Sequence, residues 1–387
     1  MRHQRWVTWG TGVLFAALIA SSACTPAAAP TPTPTKAPVA TAAPTQAVAK
    51  PLPEATTAAA PTASPKSAAP AKQATVRVAS TGSMGAAGVY IGIEKGYFKD
   101  QGIDIQILPF QSGAAMLPPL ATGDLEIATG SVNTGFLNVI DRGVALKLVA
   151  TLTSNIKGFD YEWLTIRKEL IDSGAVKEVK DMKGKKFVLS ATKSGAEATI
   201  AFFLKQGGLT ISDVELVTMG YPDMLAAYSN KAIDAAIQLE PLVTSTVEKG
   251  LAVRWPAGAP SSIYGGEYQA AGLVVSEQFS KDVDTARRWM VGYVKGLRDY
   301  NDAFVKGKDR AAVIGMITKY TSDKDQALYD KMVLPYLNPD GKVHAASMQM
   351  DLDYFKQMGY YTGNVTVQSM MDNQFVEYAV QQLGPYR

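Results

Sequence analysis

The chain reads Tyr90-Ile-Gly-Ile-Glu-Lys-Gly-Tyr-Phe-Lys-Asp-Gln-Gly-Ile-Asp-Ile-Gln106 over the segment that decides its fold. Its first residues continue an apolar, helix-like stretch, and its last residues begin a strand. Gly96 and Gly102 bracket the aromatic pair Tyr97 and Phe98. Because glycine adopts the left-handed backbone that ends a helix, the chain can stop a helix here, place two rings in the core and start a strand. A helix followed directly by a strand is typical of α/β sheets.

The same alternation extends outward from this segment. Strand-like segments separated by helix-like ones occur in two series, at Thr75–Ala79, Ile103–Leu108 and Leu125–Ala128, and again at Lys186–Leu189, Val214–Val217 and Ile233–Ile237. Residues 121–128 align with residues 229–236, and each segment has an acid, Glu126 or Asp234, just before its strand. The pattern predicts an α/β protein of two similar lobes, each with a mixed or parallel sheet flanked by helices, and a ligand cleft between the sheets.

The chain is expected to cross between the lobes twice, because Glu162–Arg167 and Gln269–Val275 look extended. This gives a first lobe of residues 75–165, a second lobe of residues 166–270, and a return over residues 271–387 that completes the first lobe. Amphipathic helices are predicted over Asp282–Lys306, Ala311–Tyr320, Lys324–Leu334 and Val367–Leu383.

The N-terminal residues predict an exported protein. Residues 1–23 combine a basic start, a short apolar stretch and small residues, which is the pattern of a signal peptide. An uncleaved membrane anchor is the alternative, but the apolar stretch is too short to span a hydrocarbon core of about 30 Å comfortably. The small residues before Cys24 resemble a bacterial lipoprotein processing site, although Ser21 stands where Leu is usual. This resemblance implies lipid on Cys24 and a place on the outer, extracytoplasmic face of the cell membrane.

Residues 24–74 predict a disordered tether. Ala, Pro, Thr and Ser dominate this stretch and offer too little apolar surface to form a core.

Composition argues against several classes of function. The chain has one Cys, Cys24, and two His, His3 and His344, so thiol catalysis, multi-cysteine zinc sites and histidine triads are nearly excluded. A net charge of +3 does not call for a nucleic-acid partner. Neither a P-loop nor a calcium loop is present. An enzyme that works with carboxylates alone is still compatible with this composition, but we expect no catalytic residue, no metal and no cofactor, and a protein that is not an enzyme.

The segment Tyr90–Gln106 strongly resembles the start of solute-binding proteins of ABC importers of the nitrate/sulfonate/taurine type, a group that includes binders of thiamine-pyrimidine precursors and related vitamins. Leu120–Ala128, residues 181–188, Asp234-Ala-Ala and Glu240-Pro241 fit the same family. The resemblance implies a periplasmic-binding-protein-like fold that closes on a small-molecule solute and delivers it to an ABC permease. We expect a monomer.

In open α/β sheets, ligands bind outside the carboxyl ends of the strands. The candidate ligand-binding residues therefore lie in or near the segments that follow the predicted strands: Ser83, Met84, Tyr90, Phe110, Gln111, Ser131, Asn133, Asn155, Tyr161, Thr192, Ser194, Tyr221, Gln238, Glu240 and Tyr264. Tyr268 is a further aromatic near these loops.

The chemistry of these loops favours a flat, polar ring. Lys193 is the only cation among them, whereas their aromatic side chains can stack on a ring and Glu240 can accept from a ring N–H. The favoured solute is a heteroaromatic vitamin or precursor, such as riboflavin or an aminopyrimidine. The alternatives are a sulfonate or nitrate anion, a pyrimidine-synthesis-like enzyme of the same fold, and a structural or sensory lipoprotein that binds no ligand. Related eukaryotic enzymes are expected to use a His as a reactant, and His344 is the only candidate outside the signal peptide.

Overall fold

The computed structural model describes residues 72–387, so the predicted signal peptide, Cys24 and nearly all of the predicted tether lie outside the described residues. The strands are β1 (Ala74–Ser80), β2 (Ile103–Pro109), β3 (Ile127–Gly130), β4 (Lys147–Asn155), β5 (Glu162–Arg167), β6 (Lys186–Leu189), β7 (Glu215–Thr218), β8 (Ala235–Leu239), β9 (Ala252–Arg254) and β10 (Tyr268–Val275). The helices before β10 are α1 (Ala87–Glu94), α2 (Leu117–Thr122), α3 (Thr134–Asp141), α4 (Lys168–Asp172), α5 (Gly195–Lys205), α6 (Tyr221–Ser229), α7 (Leu242–Glu248) and α8 (Pro260–Tyr264). The helices after β10 are α9 (Glu277–Lys281), α10 (Val283–Phe304), α11 (Arg310–Ile317), α12 (Ala345–Gln357), α13 (Val367–Met370) and α14 (Gln374–Leu383).

The strands form two sheets with matching topology, in the orders β2-β1-β3-β10-β4 and β7-β6-β8-β5-β9. Three strands are parallel in each sheet, and the fourth runs antiparallel to both of its neighbours. The prediction of two similar mixed sheets flanked by helices is confirmed.

The two sheets repeat one electrostatic device at the start of β3 and β8. The backbone N–H of Arg77 donates to Glu126 Oε2 over 2.8 Å, and the backbone N–H of Lys186 donates to Asp234 Oδ2 over 3.0 Å. Each acid also pairs with a guanidinium group, that of Arg77 at 2.6 Å and that of Arg167 at 2.7 Å. The aligned acids Glu126 and Asp234 therefore hold the central strand of each sheet against its neighbour.

The segment Tyr90–Gln106 ends α1 and begins β2 against the long helix α10. Phe98 is buried and stacks on Trp289 of α10, with ring centroids 5.4 Å apart. A Cβ added at Gly296 would lie 2.0 Å from the carbonyl oxygen of Gly88, so the backbones of α1 and α10 approach too closely for any other residue. This packing completes the core of the first sheet with a helix that comes after β10.

The chain crosses between the sheets just before each of the two extended segments that were predicted to form the crossings. Strand β5 pairs only within the second sheet and β10 only within the first, so the crossings lie in residues 156–161 and 265–267. We therefore propose these two links as the lobe boundaries, in place of 165/166 and 270/271. Below, lobe 2 means residues 162–264, and lobe 1 means residues 74–155 together with 268–387.

Two C-terminal helix predictions need correction, and one helix was missed. Residues 324–334 contain only a 3₁₀ segment, Gln326–Asp330, because the carboxylates of Asp323 and Asp325 accept local backbone N–H groups that compete with a helix. Residues 367–383 form two helices, since the chain extends at Met371 and the backbone N–H of Asp372 donates to the carbonyl of Leu148 in β4. Helix α12 was not predicted. Within residues 72–387, no helix is long and apolar enough to cross a bilayer.

Candidate ligand-binding site

A cavity of about 40 Å³ lies between the lobes, at the carboxyl ends of the parallel strands. Both lobes contribute to its lining, which consists of Thr81, Ser83, Gly113, Thr129, Gly130, Ser131, Leu152, Tyr161, Glu162, Ser190, Ala196, Tyr221, Leu239, Tyr268, Ala270 and Ala271. A single water needs roughly 10–15 Å³ of such space. The cavity therefore has room for a few waters, and an organic solute would require the lobes to separate.

Four of the predicted site residues line this cavity: Ser83, Ser131, Tyr161 and Tyr221. The hydroxyl of Tyr221 accepts from Ser190 Oγ over 3.0 Å, which joins the start of α6 to the segment after β6. Tyr161 lines the cavity directly before Glu162, the first residue of β5.

Four further predicted residues lie where the lobes meet. The backbone N–H of Met84 donates to the carbonyl of Glu240 over 3.3 Å. Asn133 and Ser194 form a β-bridge between the lobes, and Asn133 also caps α3 through a bond from the Phe136 N–H. These residues hold the lobes together around the cavity.

Other predicted residues are engaged within one lobe or lie elsewhere. Tyr90 lies in the core of lobe 1, where its ring stacks on Tyr320 at 4.8 Å, and Gln238 hydrogen-bonds within lobe 2 to Thr246. These two side chains pack inside their lobes because a strand or helix buries them away from the cleft. Thr192 is exposed, and Phe110 and Gln111 line a separate surface depression. Asn155 and Tyr264 lie beside the cavity, in contact with residues that line it.

Glu162 is the charged residue among the cavity-lining residues that the sequence analysis did not propose. Its side chain is buried, with 6% of the residue exposed, and its Oε1 has no hydrogen-bond partner within residues 72–387. Its backbone N–H donates to Asn155 Oδ1 over 3.2 Å, which fixes the start of β5 beside the crossing. Burial raises the pKa of Glu162 to about 8, with the nearby charges of Asp351 and Asp160 adding to the shift.

A second buried carboxyl lies behind the cavity wall. The hydroxyl of Tyr268 donates to Asp351 Oδ2 over 3.1 Å, and Asp351 is only 2% exposed. Burial raises the pKa of Asp351 to about 8, which the Tyr268 hydrogen bond partly opposes. Tyr264 stacks on Tyr268 with ring centroids 4.0 Å apart and planes within 2°. Tyr268, which lines the cavity, is thus held from behind by a carboxyl group on α12 and by the stacked ring of Tyr264.

Asp160 lies in the crossing just before Tyr161 and Glu162. Its carboxylate accepts the Ser261 backbone N–H over 2.8 Å and the Ser261 hydroxyl over 2.6 Å. Burial raises its pKa despite these two bonds. Asp160 is therefore satisfied by the protein, in contrast to Glu162.

Glu240 is also satisfied by the protein. Arg254 Nη2 lies 2.6 Å from its Oε1, and Thr244 donates its hydroxyl over 2.9 Å and its backbone N–H over 3.0 Å. The backbone N–H of Val333, from lobe 1, also donates to Oε1 over 3.3 Å. Burial raises the pKa of Glu240, and the Arg254 charge opposes that shift. The carboxylate proposed from sequence to accept from a ring N–H is thus occupied by protein donors.

Cations are absent from the cavity wall formed by the described residues. Lys193, the cation noted in the loops, lies with its Nζ 5.3 Å from the ring centroid of Tyr360. Across residues 72–387, no group of three or more His, Cys, Asp or Glu side chains could hold a metal ion. The arrangement is suited to binding, with hydroxyls, aromatic rings and one unpaired carboxyl converging on a closed space.

His344 lies away from the cavity, at the start of α12. Its Nδ1 is 3.0 Å from Ser347 Oγ, and its backbone N–H donates to Gln269 Oε1 over 2.7 Å. The contact with Ser347 engages the imidazole locally, in the first turn of α12.

Two lobes of repeated topology around a cleft define the class of the periplasmic binding proteins, and solved structures agree. The alkanesulfonate-binding protein of Xanthomonas axonopodis pv. citri superposes with a TM-score of 0.63 at 16% identity, covering 78% of this chain and 99% of that one. The periplasmic nitrate-binding protein of Synechocystis PCC 6803 gives 0.66 at 12% identity, covering 81% and 90%. A desulfurization enzyme gives 0.54 at 13% identity, covering 80% and 100%. At these identities the likeness shows the fold.

The family follows from the sequence match. The model of the family described as "NMT1/THI5 like" matches residues 83–301, more than half of the chain, and the protein belongs to that family. No curated protein matches the chain significantly. The predicted resemblance to solute-binding proteins is confirmed at the level of family and fold.

Proposed function

We propose that this protein is the extracytoplasmic solute-binding component of an ABC importer and that it captures a small organic solute by closure of its lobes. The observation that carries the proposal is the cavity between the lobes, lined from both sides at the carboxyl ends of the strands. Family membership and the periplasmic-binding-protein fold support it.

Closure would act through the two links at residues 156–161 and 265–267. In the closed form the Met84 N–H meets the Glu240 carbonyl, and the Thr134 N–H meets the Lys193 carbonyl over 3.2 Å. An organic solute held between the lobes would keep them further apart than they are here, but its contacts with both lobes shift the population from the open towards the closed form. A permease that recognises the closed form would then receive only loaded protein.

The proposed solute is a heteroaromatic vitamin or precursor. Support comes from Tyr161, Tyr221 and Tyr268 on the cavity wall and from the carboxyl of Glu162, which can accept a ring N–H. A sulfonate or nitrate anion is the second candidate, favoured by what the structural neighbours are named for and by the hydroxyls of Ser83, Ser131 and Ser190.

The binding proposal is tested by calorimetry and thermal-shift measurements on the purified protein. The panel comprises riboflavin, aminopyrimidines, alkanesulfonates and nitrate. Micromolar binding of one class with a raised melting temperature supports the proposal. A protein that binds no member of the panel and carries no solute through purification would refute it.

We further propose that the protein acts as a lipid-anchored monomer on the outer face of the membrane, held by lipid on Cys24 and the tether of residues 24–74. Replacing Cys24 by Ala should abolish the incorporation of labelled fatty acid into the protein. Fatty-acid labelling that persists in this variant would contradict the lipid anchor, and sedimentation of the protein without residues 1–24 reports its oligomeric state.

The proposal gives the protein no catalytic activity. The likeness to a desulfurization enzyme raises an enzyme as the competing class. If a bound solute is converted to product and a His344→Ala variant loses that turnover, the enzyme class replaces the importer.

A further inference from the structure

The cavity concentrates carboxyl groups without a compensating cation. Glu162, the first residue of β5, lies on its wall. Asp351 lies behind Tyr268, and Asp160 lies two residues before β5. Within the described chain, no Lys, Arg or His lines the cavity. Asp160 is satisfied by Ser261 and Asp351 has the Tyr268 hydroxyl, but Glu162 Oε1 has no protein donor.

A buried carboxyl without a partner is costly for a folded protein. Proteins usually satisfy such groups, as Arg254 and Thr244 do for Glu240 in the same cleft. Glu162 is an unpaired carboxyl on the wall of a cavity between two lobes, so we expect its hydrogen-bond donor to be supplied by the ligand.

We propose that the solute held in this cavity is an organic cation with N–H groups, a protonated amine or amidine, and that one of these groups donates to Glu162 Oε1. The proposal rests on the proposed solute-binding function and names the chemical class of the solute. It selects against the anion alternative, because no Lys, Arg or His of the described residues lines the cavity to compensate the charge of an anion.

The aromatic wall supports the same class. Tyr161, Tyr221 and Tyr268 line the cavity, and the faces of aromatic rings attract ammonium and amidinium groups. Tyr268 is held in place by its stack on Tyr264 and its bond to Asp351. A cation would thus meet a carboxylate and rigid rings together.

The ionisation of Glu162 adds a pH signature. Since burial raises its pKa to about 8, a cation that requires the carboxylate must displace a proton, and its affinity should rise with pH up to that value. The titratable groups that influence or face Glu162 are Asp160, Asp351, Tyr161, Tyr221, Tyr264 and Tyr268. Burial raises the pKa of all four tyrosines, so they stay neutral over this range.

The test is isothermal titration calorimetry of the purified protein with probes matched in shape. Benzylamine and benzamidine are the cations, benzyl alcohol the neutral control, and benzoate and benzenesulfonate the anions. Aminopyrimidines and nitrate complete the panel. We expect a cation to bind at least tenfold more tightly than its neutral and anionic counterparts at pH 8, and to weaken about tenfold per pH unit below that.

Variants separate this inference from the function on which it rests. Glu162→Gln should weaken cation binding at least tenfold and remove most of its pH dependence, while Glu126→Gln, remote from the cavity, should leave both unchanged. A thermal melt of each variant confirms that it is folded. Binding of an anion or a neutral solute, or a cation affinity that Glu162→Gln does not change, overturns the inference and keeps the binding function. A protein that binds no probe and carries no solute through purification overturns both.

Discussion

Glu162 begins β5 and Glu240 directly follows the neighbouring strand β8, and the two buried carboxyl groups differ in their hydrogen-bond partners. Glu162 opens β5 opposite Leu239, and Glu240 follows Leu239 directly. Both are buried, at 6% and 1% exposed. Glu240 is surrounded by protein donors, whereas Glu162 Oε1 has no protein donor among the described residues.

The difference separates a structural carboxylate from a binding carboxyl. The Glu240 cluster joins β8, β9 and the Val333 backbone of lobe 1, so it stabilises the closed arrangement from within. Glu162 lies on the cavity wall and offers an acceptor to the solute. The position of a carboxyl group at a strand end does not distinguish these two roles. The hydrogen-bond partners of each carboxyl group do.

The largest expected effect on stability comes from removing Arg254, the ion-pair partner of Glu240. Arg254→Ala would leave a buried carboxylate with only hydroxyl and backbone donors, and we expect a loss of about 3 kcal/mol in the free energy of unfolding. Urea denaturation at pH 7 measures it. Arg167→Ala is the matched control on the neighbouring strand, because its partner Asp234 also receives the Lys186 N–H and is more exposed. An equal loss in both variants would contradict the structural role given to Glu240.

The next effect is a gain in stability, expected when Glu162 is replaced. In the folded protein Glu162 holds its proton up to a pKa of about 8, whereas in the unfolded chain it ionises near its ordinary value of 4.5. Its contribution to stability therefore falls as pH rises from about 4.5 to 8.

Glu162→Gln removes this pH-dependent cost. The variant should gain on the order of 1–3 kcal/mol over the wild type at pH 8, with the gain disappearing near pH 5. Thermal melts across that range measure the difference. A Glu162→Gln variant that is less stable than the wild type at pH 8 would mean that Glu162 is a structural carboxylate like Glu240.

The smallest expected effect on stability comes from the hydrogen bond between Tyr268 and Asp351. Tyr268→Phe keeps the stack on Tyr264 but removes the hydroxyl that donates to Asp351, so the pKa of Asp351 should rise further. We expect a stability loss of about 1 kcal/mol at pH 8. Equilibrium unfolding measures it, with Tyr264→Phe as the control that leaves the Asp351 bond intact. No difference between the two variants would exclude a role for that bond.

The fold was largely predictable because local patterns determine it. Alternating strands and helices, and the aligned acids Glu126 and Asp234, indicated two similar sheets, and the structure has them. The C-terminal elements were harder. The break at Met371 depends on a bond to β4 more than 200 residues earlier in the chain, which no local pattern reveals.

The site was less predictable, for a similar reason. Strand-end positions led to Ser83, Ser131, Tyr161 and Tyr221, which do line the cavity. The partner that occupies Glu240 comes from β9, and the carboxyl near Glu162 comes from α12. A charged residue at the first position of an otherwise buried strand was the available signal for Glu162. Its lack of a partner could be seen only once the neighbouring elements were in place.

The most direct test of the account is a crystal structure of the protein with the solute that binds it most tightly. We predict a solute enclosed between the lobes, with an N–H group within hydrogen-bond distance of Glu162 Oε1 and the Glu240–Arg254 pair intact. A solute that binds outside the cavity, or one that displaces Arg254 to reach Glu240, would contradict the assignment of the two carboxyl groups.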